Sequence, residues 1–589
     1  MNIDARHSLY RERVLAALPR LLTELDRDRL STTYGSFDRE YWAWATKDFS
    51  NVDLQRAIYP LTALYLHPIE GNGWYKQGRV RDWILGAVEF WRKSQHRNGS
   101  FDHHYPNEFS FVGAAFPLFE IGEAFCLLDL AGELGGSERS AWIAVMQRAG
   151  DFLCRSDEEH GFISNHRIGA ACGLVRLAGL TQKDRYRQRA QSLIESVKSR
   201  RSHSEGWLHE YGGADPGYQT LDTYYLANYW TLTGDREFYD EVVAPSVRFL
   251  TYFFPPDGSV GGEHGSRNCP LYFPSGFEVL AKTLPDAEAI AALGAEGIRS
   301  GATPALGDMD IRNFVPMLSS YAQAMLVSSA GRPVSASQLP CRREFERYWP
   351  EAGLFVRSDR RHYSIVGGAK GGVVKIFRKV DGRMLASHAG YMIETDGGAS
   401  LSNQFLAAPT VQGVEDCAGR ETPVQETRIL RLSHPFFAVL RTRVFTPWRF
   451  LLFRLFALTV GRNIRLANWV KRTIITGWFI NRRRASPVGL ERQIRLGSED
   501  VTIEDRFTGL DPGRLKTLTA GDLFTTIYMA SSKYYRRQEC LPETLNPVDL
   551  AAVVRQEPTL CFRLTDEGLR LDRKDPSCAA SSVGSGHAR

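Results

Sequence analysis

Residues 206–225 read GWLHEYGGADPGYQTLDTYY, a glycine-rich turn carrying polar, titratable and aromatic groups that opens into a helical pattern. Its opening, Glu205-Gly206-Trp207-Leu208, has counterparts in Asn98-Gly99-Ser100-Phe101, His160-Gly161-Phe162-Ile163 and Asp257-Gly258-Ser259-Val260. Around these turns, Val80–Gln95, Phe111–Leu130, Ala141–Arg155, Ile168–Leu180, Lys183–Ser199, Thr220–Thr233 and Arg236–Phe253 place apolar residues at three- and four-residue spacing. A polar residue, a glycine and an apolar residue returning about every 45 to 60 residues between paired helices is the pattern of stacked helical hairpins. Hairpins closed into an incomplete (α/α) toroid bring such loops to one mouth. Ordinary helix termination by glycine is the plainer alternative.

The helical pattern runs over residues 1–335, and 336–350 (ASQLPCRREFERYWP) reads as a linker with Pro340 and Pro350 as breakers. From Glu351 the period becomes two, in Gly353–Ser358, His362–Val366, Val373–Phe377, Ala438–Val444, Gln493–Leu496, Val501–Phe507 and Thr559–Leu564. The expected fold is therefore α+β and multidomain: the toroid, then an antiparallel β-sandwich over 351–574 with a helical insertion at about 446–485. The small, polar tail 575–589 is expected to be disordered.

A chain of 589 residues, 43% hydrophobic, exceeds what one core usually serves. With 24% charged and 11% aromatic residues it is globular rather than disordered or fibrous. The net charge of +6 is unevenly placed: no Asp or Glu lies between Glu426 and Glu491, while basic residues recur from Arg428 to Arg484. Nine cysteines in no zinc spacing read as reduced thiols. The N-terminus has charges where a signal peptide would be apolar, and no uncharged apolar run is long enough to span a bilayer, so cytoplasmic residence is expected.

Tyr218 follows Asp215-Pro216-Gly217, a rigid turn that would aim its ring outward. Asn165 fits either a helix cap or a ligand-facing amide, and His166 beside it favours the latter. His264 sits between Gly262 and Gly265, where backbone can approach a ligand. Asn268, Arg267, Glu210 and Tyr211 add polar groups to the same loops. In the first loop, FDHHYPNEFSF (101–111), His104, Tyr105 and Asn107 suit a sugar; the adjacent His103-His104 pair lacks the spacing of a zinc site, so neither metal nor cofactor is expected. Gln55 and Arg56 offer a further polar edge.

Asn165-His166 in HGFISNHRIGAACG (160–173), a tyrosine on the next hairpin loop and a β-domain opening AGLFVR (352–357) together resemble heparinase II/III-like polysaccharide lyases. The resemblance implies that Asn165 neutralises a substrate carboxylate, that Tyr218 is catalytic acid or base, and that His166 or His264 is a base or its orienting partner. It also implies a β-domain histidine at the site; the candidate is His388 in LASHAGYMIETDGG, although the usual H-x-H-x-D style is missing and Asp396 lies further on. The implied reaction is β-elimination on a uronate-containing polysaccharide, an acidic polymer or oligosaccharide. C5-epimerisation shares its proton abstraction. A glycoside hydrolase would instead need two carboxylates from Glu210, Asp215, Asp222, Glu263, Asp102 and Glu108.

Residues 447–480, PWRFLLFRLFALTVGRNIRLANWVKRTIITGWFI, form two helix-like segments rich in Arg, Phe, Leu and Trp. They suit contact with the inner membrane face, either for the enzyme or for a non-catalytic glycan-binding or assembly protein. An insertion docked on the sandwich with solvated arginines is the alternative. No nucleic-acid motif accompanies the charge.

Overall fold

A computed structural model describes residues 1–159, 161–328, 334–408, 410–439, 446–470, 473, 484–521 and 545–572. The chain divides into two compact units, one comprising Met1–Arg342, Thr442–Arg482 and Ile527–Glu539, the other Arg343–Arg441, Arg483–Thr526 and Cys540–Arg589. The expected tail lies outside the described residues.

In the helical unit, α1 (Ile3–Glu24) and the short α2 (Arg39–Trp42) precede α3 (Ile58–Leu66), α4 (Gly78–Lys93), α5 (Phe111–Leu130), α6 (Gly136–Arg155), α7 (Ser164–Thr181), α8 (Asp184–Lys198) and α9 (Pro216–Thr233). There follow α10 (Arg236–Phe238), α11 (Ala244–Leu250), α12 (Ser275–Leu280), α13 (Pro285–Ser300) and α14 (Ile311–Ser328). Helices α3, α5, α7, α9, α12 and α14 each pack on the next, and α14 packs back on α3, giving the inner ring of an (α/α) toroid. Helices α1, α4, α6, α8, α11 and α13 lie outside it. Sequence decides the layer. Helix α5 is apolar over most of its circumference and buried along most of its length, whereas α4 and α8 bury only stripes such as Val80, Ile84, Ala87 and Trp91, or Tyr186, Ala190, Leu193 and Val197. Helix α5 is also the one described helix long and apolar enough to cross a membrane, and it is a core helix of the ring.

Three of the four recurrent glycines have a packing reason beyond helix termination; at Gly161 an added Cβ would meet nothing within 4 Å. At Gly99 and Gly206 φ is +89° and +84°, and an added Cβ would lie 2.0 Å from the Arg148 carbonyl oxygen on α6, or 2.6 Å from that of Pro245 on α11. Each turn thus seats its backbone directly on the next outer helix. Gln55 and Arg56 are not a cleft edge: both are buried. Arg56 donates to Glu120 Oε1 (2.5 Å) and to the Tyr225 hydroxyl (3.1 Å), while Ser319 donates to Glu120 Oε2 (2.6 Å), joining α5, α9 and α14. Gln55 bridges the Phe37 N–H and the Gly35 and Ala87 carbonyls.

The second unit begins earlier than the sequence pattern suggests, because β1 (Phe345–Trp349) occupies part of the expected linker. It pairs with β2 (Leu354–Ser358) in an antiparallel sheet of order β1-β2-β3-β4-β5, where β3 is His362–Gly367, β4 Val373–Arg378 and β5 Met384–His388. The physical reason is Glu346, which reads as a linker residue yet lies buried between Arg357 and Arg428. The second sheet holds β6 (Tyr391–Thr395), β7 (Ser400–Ser402), β8 (Val411–Gln412), β9 (Thr427–Ala438), β10 (Ala485–Gly497), β11 (Val501–Thr508), β12 (Leu515–Ala520), β13 (Thr559–Thr565) and β14 (Gly568–Leu571). Its order is β12-β6-β7-β9-β10-β11-β13-β14, with β8 on β9, and every pairing is antiparallel. The strand expected at 438–444 lies mostly outside the described residues; β9 ends at Ala438. Two helices, α15 (Pro447–Leu458) and α16 (Ile464–Val470), follow in sequence, but they group with the helical unit rather than the sandwich. A short helix, α17 (Leu550–Gln556), precedes β13.

Candidate active site

The turns that follow the recurrent glycines are stitched together by backbone. Ile163 and Glu210 form an antiparallel bridge, the Ser164 hydroxyl donates to the His209 carbonyl (2.9 Å), and Ser266 N–H donates to the Ala214 carbonyl (2.9 Å). Three loops, around 164, 210 and 266, are thereby brought to one place.

Helix α9 starts at Pro216, four residues before the apolar pattern at Thr220. Asp215-Pro216-Gly217 is a helix start, not a turn: Asp215 Oδ1 accepts from the Tyr218 N–H (3.0 Å) and Pro216 fills the first helical position. Asp215 Oδ2 accepts from the Arg267 N–H at 2.7 Å, so one carboxylate fixes both loop and helix. Gly265 lies so close that a Cβ there would stand 2.6 Å from Asp215 Oδ2.

Glu210 is the hub. Its Oε1 accepts from Arg267 Nη1 (2.7 Å), its Oε2 from Asn165 Nδ2 (3.0 Å), and its backbone carbonyl from the Ser266 hydroxyl (2.7 Å). Burial pushes its carboxyl up, and Arg267 holds it back. The Arg267 guanidinium lies 4.0 Å from the Tyr218 ring centroid and 4.6 Å from that of Tyr211. Burial opposes its charge, but the two tyrosines and Glu210 prevail and keep it protonated. Arg267 and Glu210, expected as substrate-binding groups, are thus engaged with each other and support Asn165 and Tyr218.

Asn165 is not a helix cap. It lies one residue inside α7, and its amide reaches across to Glu210. Its neighbour His166 sits in a pairing that the sequence did not announce: Nδ1 is 2.6 Å from Glu158 Oε2, on a side chain 1% exposed, and the ring stands edge-on to Phe116. A proton held on Nδ1 by Glu158 leaves Nε2 as the basic nitrogen. The only cue in the chain was the acidic run Asp157-Glu158-Glu159 eight residues upstream of the histidine. His264 is buried in its turn with its ring 5.8 Å from that of Phe253.

The first loop is shaped differently from expectation. Asn107 Nδ2 donates to the Ala457 carbonyl of α15 (3.0 Å), and the Tyr105 ring meets Phe453 edge-on, so both turn toward α15. The backbone dictates this: Asn107 (φ +58°) and Phe109 (φ +50°) are left-handed. So are Tyr211 (φ +52°) and Asn268 (φ +59°), a conformation uncommon outside glycine and concentrated at functional sites. His104 is exposed, with Arg312 Nη1 3.4 Å from its Nδ1. His103, His104 and Glu108 offer ligand atoms within 4.8 Å of one another. Yet Glu108 Oε2 already accepts the backbone N–H groups of both histidines (3.0 and 2.6 Å), the imidazoles stack at 3.8 Å, and Arg312 brings a positive charge; these features fit a folded loop better than a cation site. Burial, then His104, pushes the His103 imidazole well down, keeping it neutral.

His388, the expected β-domain contributor, is buried at the end of β5. Gly390 N–H donates to its Nδ1 (3.2 Å), Arg492 Nη2 lies 3.3 Å from both ring nitrogens, and burial followed by Arg492 drives its pKa well down.

Residues 51–272 match the family model for the ulvan lyase N-terminal domain. This segment is similar to the N-terminal domain of ulvan lyases. It contains the first three of the recurrent loops and the fourth as far as Tyr272, and hence Asn165, His166, Glu210, Tyr218 and Arg267. Among curated proteins none matches the chain. Solved structures with a similar course include chondroitin AC lyase of Streptomyces coelicolor A3 in complex with chondroitin sulphate, 11% identical over 77% of this chain and 61% of that one, TM-score 0.40. Heparan sulfate lyase HepC from Pedobacter heparinus, as a mutant, is 10% identical over 86% and 74%, TM-score 0.39. Cellobiose 2-epimerase from Spirochaeta thermophila DSM 6192 is 12% identical over 55% and 96%, TM-score 0.41. The chain spans about three-fifths of the chondroitin AC lyase's length.

Proposed function

We propose that the helical unit is a lyase that cleaves a uronate-containing polysaccharide by β-elimination. The observation that supports this most is the Asn165–Glu210–Arg267–Tyr218 cluster, drawn from three loops and set beside the Glu158–His166 pair. The Asn165 amide, with one N–H on Glu210 and a second to give, stabilises charge on the uronate carboxylate as the neighbouring carbon becomes acidic. His166 Nε2 removes the C5 proton. The C5–H pair forms the C4–C5 double bond, the C4–O4 bond breaks, and the Tyr218 hydroxyl returns a proton to the departing O4. Arg267 and Glu210 position Tyr218 and Asn165, and His264 shapes the turn that carries Arg267. No metal or cofactor enters these steps.

Four of the six carboxylates a hydrolase could draw on are held in place by other groups. Glu210 holds Arg267 and Asn165, Asp215 caps α9, Asp102 accepts from the Glu108 N–H, and Glu108 holds the histidine turn. The test is absorbance near 232 nm, where a conjugated uronate absorbs, with the full chain and a panel of acidic polysaccharides. A rise with wild type that Tyr218→Phe and Asn165→Ala both lose is expected. Reducing ends without absorbance would replace the lyase by a hydrolase, and an inverted C5 without cleavage would replace it by an epimerase.

A further inference from the structure

Helix α15 inverts the usual arrangement of a surface helix. Its inward side is Phe453, Arg454 and Ala457, with Arg454 paired to Asp48 and Ala457 accepting from Asn107. Its outward side is apolar: Trp448 (78% exposed), Leu451 (56%), Leu452 (67%) and Leu455 (61%) recur at three- and four-residue spacing. On α16, Trp469 is 57% exposed. Arg449, Arg462 and Arg465 are exposed around them, and the surrounding 427–490 stretch contains no acidic residue.

We propose that α15 and α16 form an interfacial docking surface for an anionic lipid bilayer. The partner follows from the chemistry. An apolar stripe with two exposed tryptophans and exposed arginines, on helices that carry no acidic side chain of their own, matches the acyl boundary, headgroup level and negative charge of such a membrane. A soluble protein partner of ordinary surface would place carboxylates and amines alike against these arginines, whereas only a uniformly negative surface complements them throughout. Because α15 is bonded to Asn107, the docked surface would adjoin the first loop of the helical unit.

The experiment is co-sedimentation of the full chain with vesicles of phosphatidylcholine alone or containing phosphatidylglycerol, at low and high salt. Wild type binds the phosphatidylglycerol vesicles and releases with salt. Leu451→Glu/Leu455→Glu, whose side chains face solvent, keeps the wild-type melting temperature and its activity on soluble polysaccharide while binding falls at least about tenfold. Arg449→Glu/Arg465→Glu weakens binding to the anionic vesicles only. Absence of wild-type binding, or equal binding by the leucine variant, overturns the proposal. So does a wild-type dimer that the leucine variant converts to monomer without any vesicle binding, which would make the face a contact between copies.

Discussion

Arg267 and Arg492 are buried alike, 3% and 2% exposed, and each grips a carboxylate beside a tyrosine, yet they are held in opposite ways. Arg492 on β10 stands opposite Asp505 on β11 in strand register, gives it Nε and Nη2 bonds of 2.6 Å each, and shares it with the Tyr391 hydroxyl at 2.5 Å. Arg267 has no ladder beneath it. It is placed by Asp215, Glu210 and two tyrosine faces, Tyr211 from a loop and Tyr218 from the first turn of α9, beside an Asn268 in left-handed backbone. The same side-chain chemistry therefore belongs to the core in one case and to a candidate site in the other. Backbone support separates them.

The largest expected effect lies in the loop cluster: Tyr218→Phe lowers the elimination rate by about 10²–10⁴-fold while leaving the melting temperature near wild type. A comparable loss of stability would place Tyr218 with Tyr391 as a structural ring. Arg492→Met leaves Asp505 buried without its cation and lowers unfolding free energy by about 3–5 kcal/mol, read by denaturant titration. An unaffected midpoint would show that the ladder tolerates the gap.

A third expectation separates the units by pH. His434 on β9 is buried, and that burial, against the pull of the Pro435 carbonyl, brings its imidazole down to about 4. The unfolded chain takes up this proton near pH 6.5 and the folded one does not, so stability present above 6.5 is lost as pH falls toward 4, by about 3 kcal/mol at the lower end. His434→Gln should flatten the melting temperature of the sheet unit over that window; an unchanged slope would assign the acid sensitivity elsewhere. The smallest effect is at Asn268→Gly. It removes a left-handed side chain and shifts stability by no more than about 1 kcal/mol, but loosens the turn that carries Arg267 and so lowers kcat. Unchanged kcat would detach this backbone conformation from the site.

How much was legible follows from how local each feature is. The toroid was readable because its hairpins repeat and its glycines recur; that Asn165 and Tyr218 come to one loop cluster was suggested by the family resemblance, whereas the helix start at Asp215-Pro216-Gly217 was read as a turn. Glu158 was not, since its meaning comes only from the fold that returns His166 to it. Strand β1 was hidden because Glu346 reads as solvent-facing until Arg357 and Arg428 are seen around it. The fate of Tyr105 and Asn107 was equally invisible, as their partners Phe453 and Ala457 belong to a helix that follows β9.

That last connection bears on how the protein is made. Asn107 finds its carbonyl 350 residues downstream, past most of the sandwich. A nascent chain that has emerged only as far as Arg342 carries every hairpin of the ring but not the segment that buttresses its first loop. An expression clone ended there would yield a toroid with that loop unbraced, so the length of the clone, as much as any point variant, sets what an activity assay on the helical unit alone reports.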